Sequence, residues 1–150
     1  MKWICGILLV LLCSCSITGQ SVGNGFEGPY EVTYVVDGDT LDVNISERIR
    51  MSGINTPETG ECYYQEAKDR LTELTLGKDV YLEPDISDRG NYGRLLRYVY
   101  VGDSNVNKVL VAEGYARVYD KYASDTSRYL ELKEVETLAK AGGLGVWSCS

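Results

Sequence analysis

Histidine is absent from the sequence. That removes the usual zinc sites and every mechanism that relies on an imidazole base. A metal ion here would have to be held by oxygen, which makes calcium or magnesium the natural ions. Proline is scarce, at 3 residues, whereas 16 Gly and 12 Tyr suit a compact β-rich fold with tight turns. Positive charge is in deficit, with a net charge of -7. Proteins that bind nucleic acid generally carry a basic surface. An acidic chain can act on such a substrate only through a local basic cleft and a bound cation that offset its field. A long apolar run is missing as well: the run over residues 4–12 falls far short of the roughly 20 residues needed to span a bilayer.

That short run is nonetheless informative. Lys2 supplies a positive start, and the apolar stretch follows, as in an export signal, here residues 1–14. Leu12-Cys13-Ser14-Cys15 resembles a bacterial lipobox, with a small residue before the cysteine that becomes lipidated. Cys15 is therefore the lipidation candidate, which would hold the protein at a membrane without spanning it. The alternative is an ordinary signal peptide cleaved somewhat later, giving a secreted protein. Residues 15–28 are polar and rich in Gly and Ser and read as a tether. Residues 29–150 are long enough for one domain with a core of its own. Beyond the signal region two cysteines remain, Cys62 and Cys149. In an exported protein such a pair suggests a disulfide; two unpaired thiols are the alternative.

The domain opens with a β-branched and aromatic run over residues 30–36, a strand, followed by the turn signal Asp37-Gly38. Residues 40–45 alternate, with Leu41, Val43 and Ile45 on one face. A turn at Ser46-Glu47 then leads into a third strand over residues 48–54. If Ile45 stands opposite Arg48, Asp39 falls near Ile54, and Asp39 and Asn55 arrive at the same end of the sheet. Arg50, five residues before Asn55, stands roughly 16 Å away along an ideal strand and reaches the site only if the strand coils. Pro57 keeps Thr56 extended, leaving its carbonyl available to a cation. A helix over residues 65–76 with Gly77 as its stop follows, then a strand at 78–83, a loop at 84–93 and a strand at 94–101. Short helical spacing over 106–113, an extended piece at 115–119, an amphipathic helix over 127–140 and a packed tail at Val146-Trp147 complete the chain. The reading is an α+β fold, mainly β barrel: a five-stranded OB-type barrel with three packed helices.

Several short motifs recur in a known order. They are Val36-Asp37-Gly38-Asp39-Thr40, Arg50 followed by Asn55-Thr56-Pro57-Glu58, and Tyr92-Gly93-Arg94. Val106-Asn107 leading to Leu110, Gly114-Tyr115-Ala116 and Val146-Trp147-Ser148 support them. As an ordered set running from Tyr30 to Ser148, they resemble the staphylococcal-nuclease-type thermonuclease family. The resemblance implies a calcium-dependent phosphodiesterase that cleaves DNA and RNA with little sequence preference and leaves 3′-phosphates. Carried over by position, Asp39 and Asn55 are side-chain calcium ligands and Thr56 lends its backbone carbonyl. Arg50 and Arg94 contact the scissile phosphate, Glu58 is the general base and Tyr92 helps hold a nucleotide. DNA and RNA are the implied partners, with no obligate protein partner. The chain departs from the family in three places. Asn55 stands where the family has Asp, which removes one negative charge from the metal site. The segment from Asp39 to Arg50 is shorter, and the loop from Asp88 to Tyr92 differs. Two other classes of function compete with an enzyme: a catalytically silent OB-fold module that binds nucleic acid, and a lipid-anchored structural protein. Neither requires Arg50, Glu58 and Arg94 together, and all three are present.

Overall fold

Residues 25–149 are described in a computed structural model. The export signal, Cys15 and the tether up to residue 24 lie outside the described residues. The strands are β1 (Glu27–Asp37), β2 (Thr40–Val43), β3 (Glu47–Met51), β4 (Ile54–Asn55), β5 (Asp79–Arg89), β6 (Leu95–Val101), β7 (Ser104–Asn105) and β8 (Arg117–Val118). The helices are α1 (Tyr64–Thr75), α2 (Val106–Ala112) and α3 (Tyr129–Ala141).

Strands β3, β2, β1, β5 and β6 lie side by side in that order, and β3 also pairs with β6. That last pairing is parallel, with Ile49 opposite Leu95, and it closes the sheet into a five-stranded barrel. Closure removes the open edges that a free sheet would present. Strand β1 pairs with β2 and with β5, and register shifts at Val32/Tyr34 and Val35/Asp37 bend it enough to do so. Inward-facing Val32, Leu41, Ile49, Met51, Leu82 and Val99 fill the barrel. Ala67 and Leu71 of α1, Leu110 and Val111 of α2 and Leu132 of α3 are buried as well. This is the α+β, OB-type architecture that the strand and helix pattern led us to expect.

The differences from expectation lie in the connections. The hairpin between β2 and β3 is closed by Asn44, Ile45 and Ser46, because Val43 pairs with Glu47. Ser46 takes a left-handed φ of 61°, the signature of a three-residue hairpin loop. Ile45 is thus an exposed loop residue, and Asp39 faces Met51, whose N–H donates to the Asp39 carbonyl at 2.9 Å. The third strand ends at Met51 rather than Ile54. Gly53, at φ 73°, turns the chain, and a Cβ there would lie 2.7 Å from Thr126 and 2.8 Å from Leu132. Asn107 holds this turn from the far side. Its Nδ2 donates to the Ser52 carbonyl and its Oδ1 accepts from Val99 N–H, both at 2.9 Å.

Two other boundaries also move. Strand β1 already begins at Glu27, inside the expected tether, because buried Arg97 binds the Glu27 carboxylate at 2.8 and 3.1 Å. Strand β5 continues through Pro84, which stands opposite Arg97, to Arg89. Proline fixes φ and lacks a donor but stays compatible with extended backbone.

Replacing Asn107 with Ala leaves the Ser52 carbonyl and the Val99 N–H unpaired in a dry interior. We expect a loss of about 3 kcal/mol in urea unfolding; a loss below about 1 kcal/mol would show that Asn107 does not hold the turn.

Candidate active site

The turn at Ser52-Gly53 carries the chain out of the barrel sheet, so that β4 pairs with β8 and its Ile54 carbonyl faces the Arg50 side chain. Arg50 therefore reaches Asn55 through space rather than along the strand. Its Nη1 donates to the carbonyls of Met51 (2.6 Å) and Ile54 (2.9 Å), and its Nη2 donates to Asn55 Oδ1 at 3.0 Å. Its Nε lies 3.2 Å from Asp39 Oδ1. One planar guanidinium thus spans the carboxylate and the amide to which the family resemblance assigns metal binding. The five-donor fork of arginine makes this possible, and lysine has no equivalent.

Asp39 is nearly buried and fully engaged. Its Oδ2 accepts from the Thr56 N–H at 2.9 Å and the Thr56 hydroxyl at 3.1 Å, and its Oδ1 accepts from the Thr40 hydroxyl at 3.0 Å. Burial pushes its carboxyl above the ordinary value, and the Arg50 charge pulls it back down. The neighbouring Asp37 charge pushes it up again, while Asp37 Oδ1 accepts the Asp39 N–H at 3.1 Å. Gly38 between them is required by close approach. A Cβ there would lie 2.8 Å from Thr56 Oγ1 and 2.9 Å from Ala67 Cβ.

The structure thus brings Asp39, Arg50, Asn55 and Thr56 into one cluster. Glu58 is two residues further on, at the start of an exposed loop, and its backbone N–H donates to Glu61 Oε2 at 2.7 Å. Its carboxylate makes no hydrogen bond or ion pair among the described residues. Arg94 and Tyr92 lie on the neighbouring stretch of the same barrel face. Ile49 and Leu95 point inward and pair with each other, so Arg48, Arg50 and Arg94 all point outward. Arg94 and Tyr92 line a groove of about 700 Å³ together with Thr33, Asp42 and Arg48. Arg48 is clasped by Asp42 at 2.7 and 2.9 Å, and this hydrogen bond holds the Asp42 carboxyl below its usual range. Arg94 has no ion pair among the described residues; its guanidinium carbon lies 5.8 Å from the centre of the Tyr92 ring, and its Nε is buried without a partner. Tyr92, with 92% of its surface exposed, is available for contact.

Asp37, part of the turn and motif read from the sequence, contributes by accepting the Asp39 N–H. Two other contributors are not among the candidate site residues. Arg117 stands opposite Asn55 in the pairing of β4 with β8, a contact that only the fold creates. Glu61 accepts the Glu58 N–H at its carboxylate, and the spacing Glu58-x-x-Glu61, in which a side chain reaches back to a free backbone donor, is the signal the sequence offers. The disulfide between Cys62 and Cys149 is formed, with Cα atoms 6.2 Å apart.

The oxygen donors suit a hard cation in kind: the Asp39 carboxylate, the Asn55 amide oxygen and the Thr56 carbonyl. The set is poor in carboxylates. No group of three or more His, Cys, Asp and Glu side chains gathers among the described residues. A cation held here would rely on water and substrate for the rest of its shell.

The family model described as Staphylococcal nuclease homologue matches residues 48–149. The chain belongs to the staphylococcal nuclease family. Within that family it is similar to a micrococcal nuclease of Shigella flexneri, with 35% identity over 130 residues covering 79% of this chain and 72% of the other. It is similar to a thermonuclease of Staphylococcus hyicus, with 32% identity over 137 residues covering 85% and 80% of the two chains. It also resembles an SPbeta prophage-derived endonuclease of Bacillus subtilis, with 39% identity over 123 residues, 75% of this chain and 42% of that one. The family match covers Arg50, Asn55, Thr56, Glu58 and Arg94, whereas Asp39 lies before its start.

Gly38→Ala tests the cluster directly. The added methyl must displace Thr56, the main donor to Asp39, or push α1 away. We expect a destabilisation of about 1–3 kcal/mol by thermal unfolding; an unchanged melting temperature would mean that this packing is looser than the distances indicate.

Proposed function

We propose that this member of the staphylococcal nuclease family is a calcium-dependent nuclease that hydrolyses phosphodiester bonds of DNA and RNA with little sequence preference, leaving 3′-phosphates. The carrying observation is the Arg50 guanidinium suspended between Asp39 and Asn55, on the same outward face of the barrel as Arg94. Relatives named as micrococcal nuclease, thermonuclease and endonuclease support hydrolysis of nucleic acid as the reaction class.

Asp39, Asn55 and the Thr56 carbonyl would hold the ion. Calcium, when bound, supplies Lewis-acid stabilisation of phosphate charge and orients water. The protein's own groups do the rest. Arg94, with no carboxylate to satisfy, offers its fork to a phosphate entering the groove. Arg50, on the same outward face and held in place by Asp39, stabilises negative charge developing on the phosphate without having to reorganise. Glu58, exposed on its loop, accepts the proton of the attacking water at a carboxylate oxygen. Attack forms the new phosphorus–oxygen bond and breaks the bond to the 5′ oxygen, which leaves as a hydroxyl after taking a proton. Tyr92 offers an aromatic face to a nucleotide.

We also place the protein outside the cell, attached through Cys15 or released after ordinary cleavage. The formed disulfide supports that placement, because such bonds persist in oxidising compartments.

The purified protein should digest single- and double-stranded DNA and RNA with calcium and fail in chelator. Glu58→Ala should lower the rate by about 10²–10⁴-fold, the range for a general base. Full activity in chelator, or in that variant, would remove this mechanism. Asn55→Asp adds a charge to the ion site, so calcium should bind more tightly by calorimetric titration. An unchanged affinity would argue that Asn55 is not a ligand.

A further inference from the structure

Residues 58–62, which carry Glu58, are all exposed. No side chain in this stretch is anchored in the core, so the position of Glu58 must be fixed in another way. Two devices do it. The first is local. Glu58 N–H donates to the Glu61 carboxylate at 2.7 Å, and Glu61 N–H donates back to the Glu58 carbonyl at 2.9 Å. The second is the Cys62–Cys149 bond, which joins the end of this loop to the end of the chain across 87 residues.

The chain end is itself fixed beside the site. Val146 is buried, its N–H donates to the Gly114 carbonyl at 2.8 Å, and its carbonyl accepts from Arg117 Nη2 at 3.0 Å. Gly145 and Gly114 touch so closely that a Cβ at Gly145 would lie 2.1 Å from the Gly114 carbonyl oxygen. Arg117 then pairs with Asn55 in the β4–β8 ladder. The cross-link therefore closes a ring that starts at Asn55, passes Glu58 to Cys62, crosses to Cys149 and returns through Val146 and Arg117. The ring surrounds a cavity of about 320 Å³ between the loop and the tail.

We propose that the Cys62–Cys149 disulfide, together with the Glu61 clasp, positions Glu58 for catalysis, so that turnover depends on this one bond being oxidised. The inference rests on the reading of Glu58 as the general base. Neither cysteine touches the phosphate; both act through the loop backbone. Without the bond the loop keeps its ends, at Pro57 and α1, and the local Glu61 clasp, but the clasped segment is no longer tied to the tail and the carboxylate spreads over more positions. A base displaced by about 1 Å can cost on the order of 10²-fold in rate. Substrate binding through Arg50 and Arg94 does not pass through this loop. The loss therefore falls on kcat and leaves KM nearly alone.

The test compares wild type, Cys62→Ser/Cys149→Ser, Glu61→Ala, Glu61→Gln and Glu58→Ala, each assayed well below its own melting temperature. The double serine variant should lose at least tenfold in kcat with KM within about twofold. Wild type reduced by dithiothreitol should behave alike: two electrons and two protons convert the disulfide to two thiols while the reagent closes to its cyclic disulfide. Reoxidation should restore the rate. Glu61→Ala should lose several-fold in kcat, and Glu61→Gln, whose amide oxygen still accepts the Glu58 N–H, should recover most of it. If the double serine variant keeps wild-type kcat while Glu58→Ala is inactive, the positioning inference is overturned and the base assignment stands. If Glu58→Ala is itself fully active, the base assignment fails and takes the inference with it. A loss of kcat in the double variant found only where near-ultraviolet circular dichroism shows lost native structure also overturns the inference.

Discussion

The contact between Arg50 and Asp39 is the constraint around which the site is arranged. A carboxylate with little access to water is costly unless it is compensated by charge and hydrogen bonds. Asp39 receives donors from Thr40 and from both polar groups of Thr56, and it lies 3.2 Å from the Arg50 guanidinium. Satisfying Asp39 fixes Thr56, and with it the direction in which the chain enters Pro57 and the Glu58 loop. Satisfying the other donors of Arg50 fixes Met51, Ile54 and Asn55. One buried ion pair thus sets the positions of several groups that the chemistry requires. A cation at the same oxygens would have to share them with Arg50.

The barrel depends on the same region. The parallel contact of β3 with β6 closes it, and the Ser52-Gly53 turn immediately after β3 is clamped by Asn107 from the start of α2. The turn that places Asn55 is therefore held from two sides, by Asn107 from the core and by Arg50 Nη1, which donates to the carbonyls of Met51 and Ile54 on either side of it.

The sequence revealed the elements and misled about two connections. Alternation in β2 and the helical spacing of α1 and α3 survive because burial on one face dictates them. The β2–β3 register did not survive, because it depended on Ser46 adopting a left-handed φ, which a serine rarely does and composition does not announce. The end of β3 was hidden because Ile54 continues a β-forming run, and the turn is imposed by Gly53 packing under Thr126 and Leu132, residues more than 70 positions away. The proximity of Asp39 to the Asn55-Thr56 segment was anticipated from a hairpin register that proved wrong, and it holds for a different reason. The turn out of β3 into β4 delivers Thr56 to Asp39 directly. The distance assigned to Arg50 failed for the same cause, since it assumed a straight strand. The pairing of Cys62 with Cys149 was legible from cysteine arithmetic, whereas the Glu61 carboxylate clasp, with the three-residue spacing of a side chain capping a backbone donor, does not stand out among the many carboxylates of an acidic chain.

The acidic balance of the chain becomes intelligible once the arginines are sorted by partner. Arg48, Arg50, Arg70, Arg89, Arg97 and Arg128 each have a carboxylate within ion-pair distance. Arg94 and Arg117 have none among the described residues, and these two flank the site, one in the groove and the other opposite Asn55. Paired arginines are largely neutralised at a distance, so the long-range field is that of an acidic protein. The Asp39, Glu58 and Glu61 carboxylates lie close by, so the two unpaired guanidiniums act as discrete donors rather than as a broad basic surface. Beyond a Debye length, about 8 Å at physiological salt, their charge is screened. Such an arrangement favours local contact over tight, extended binding of a polyanion.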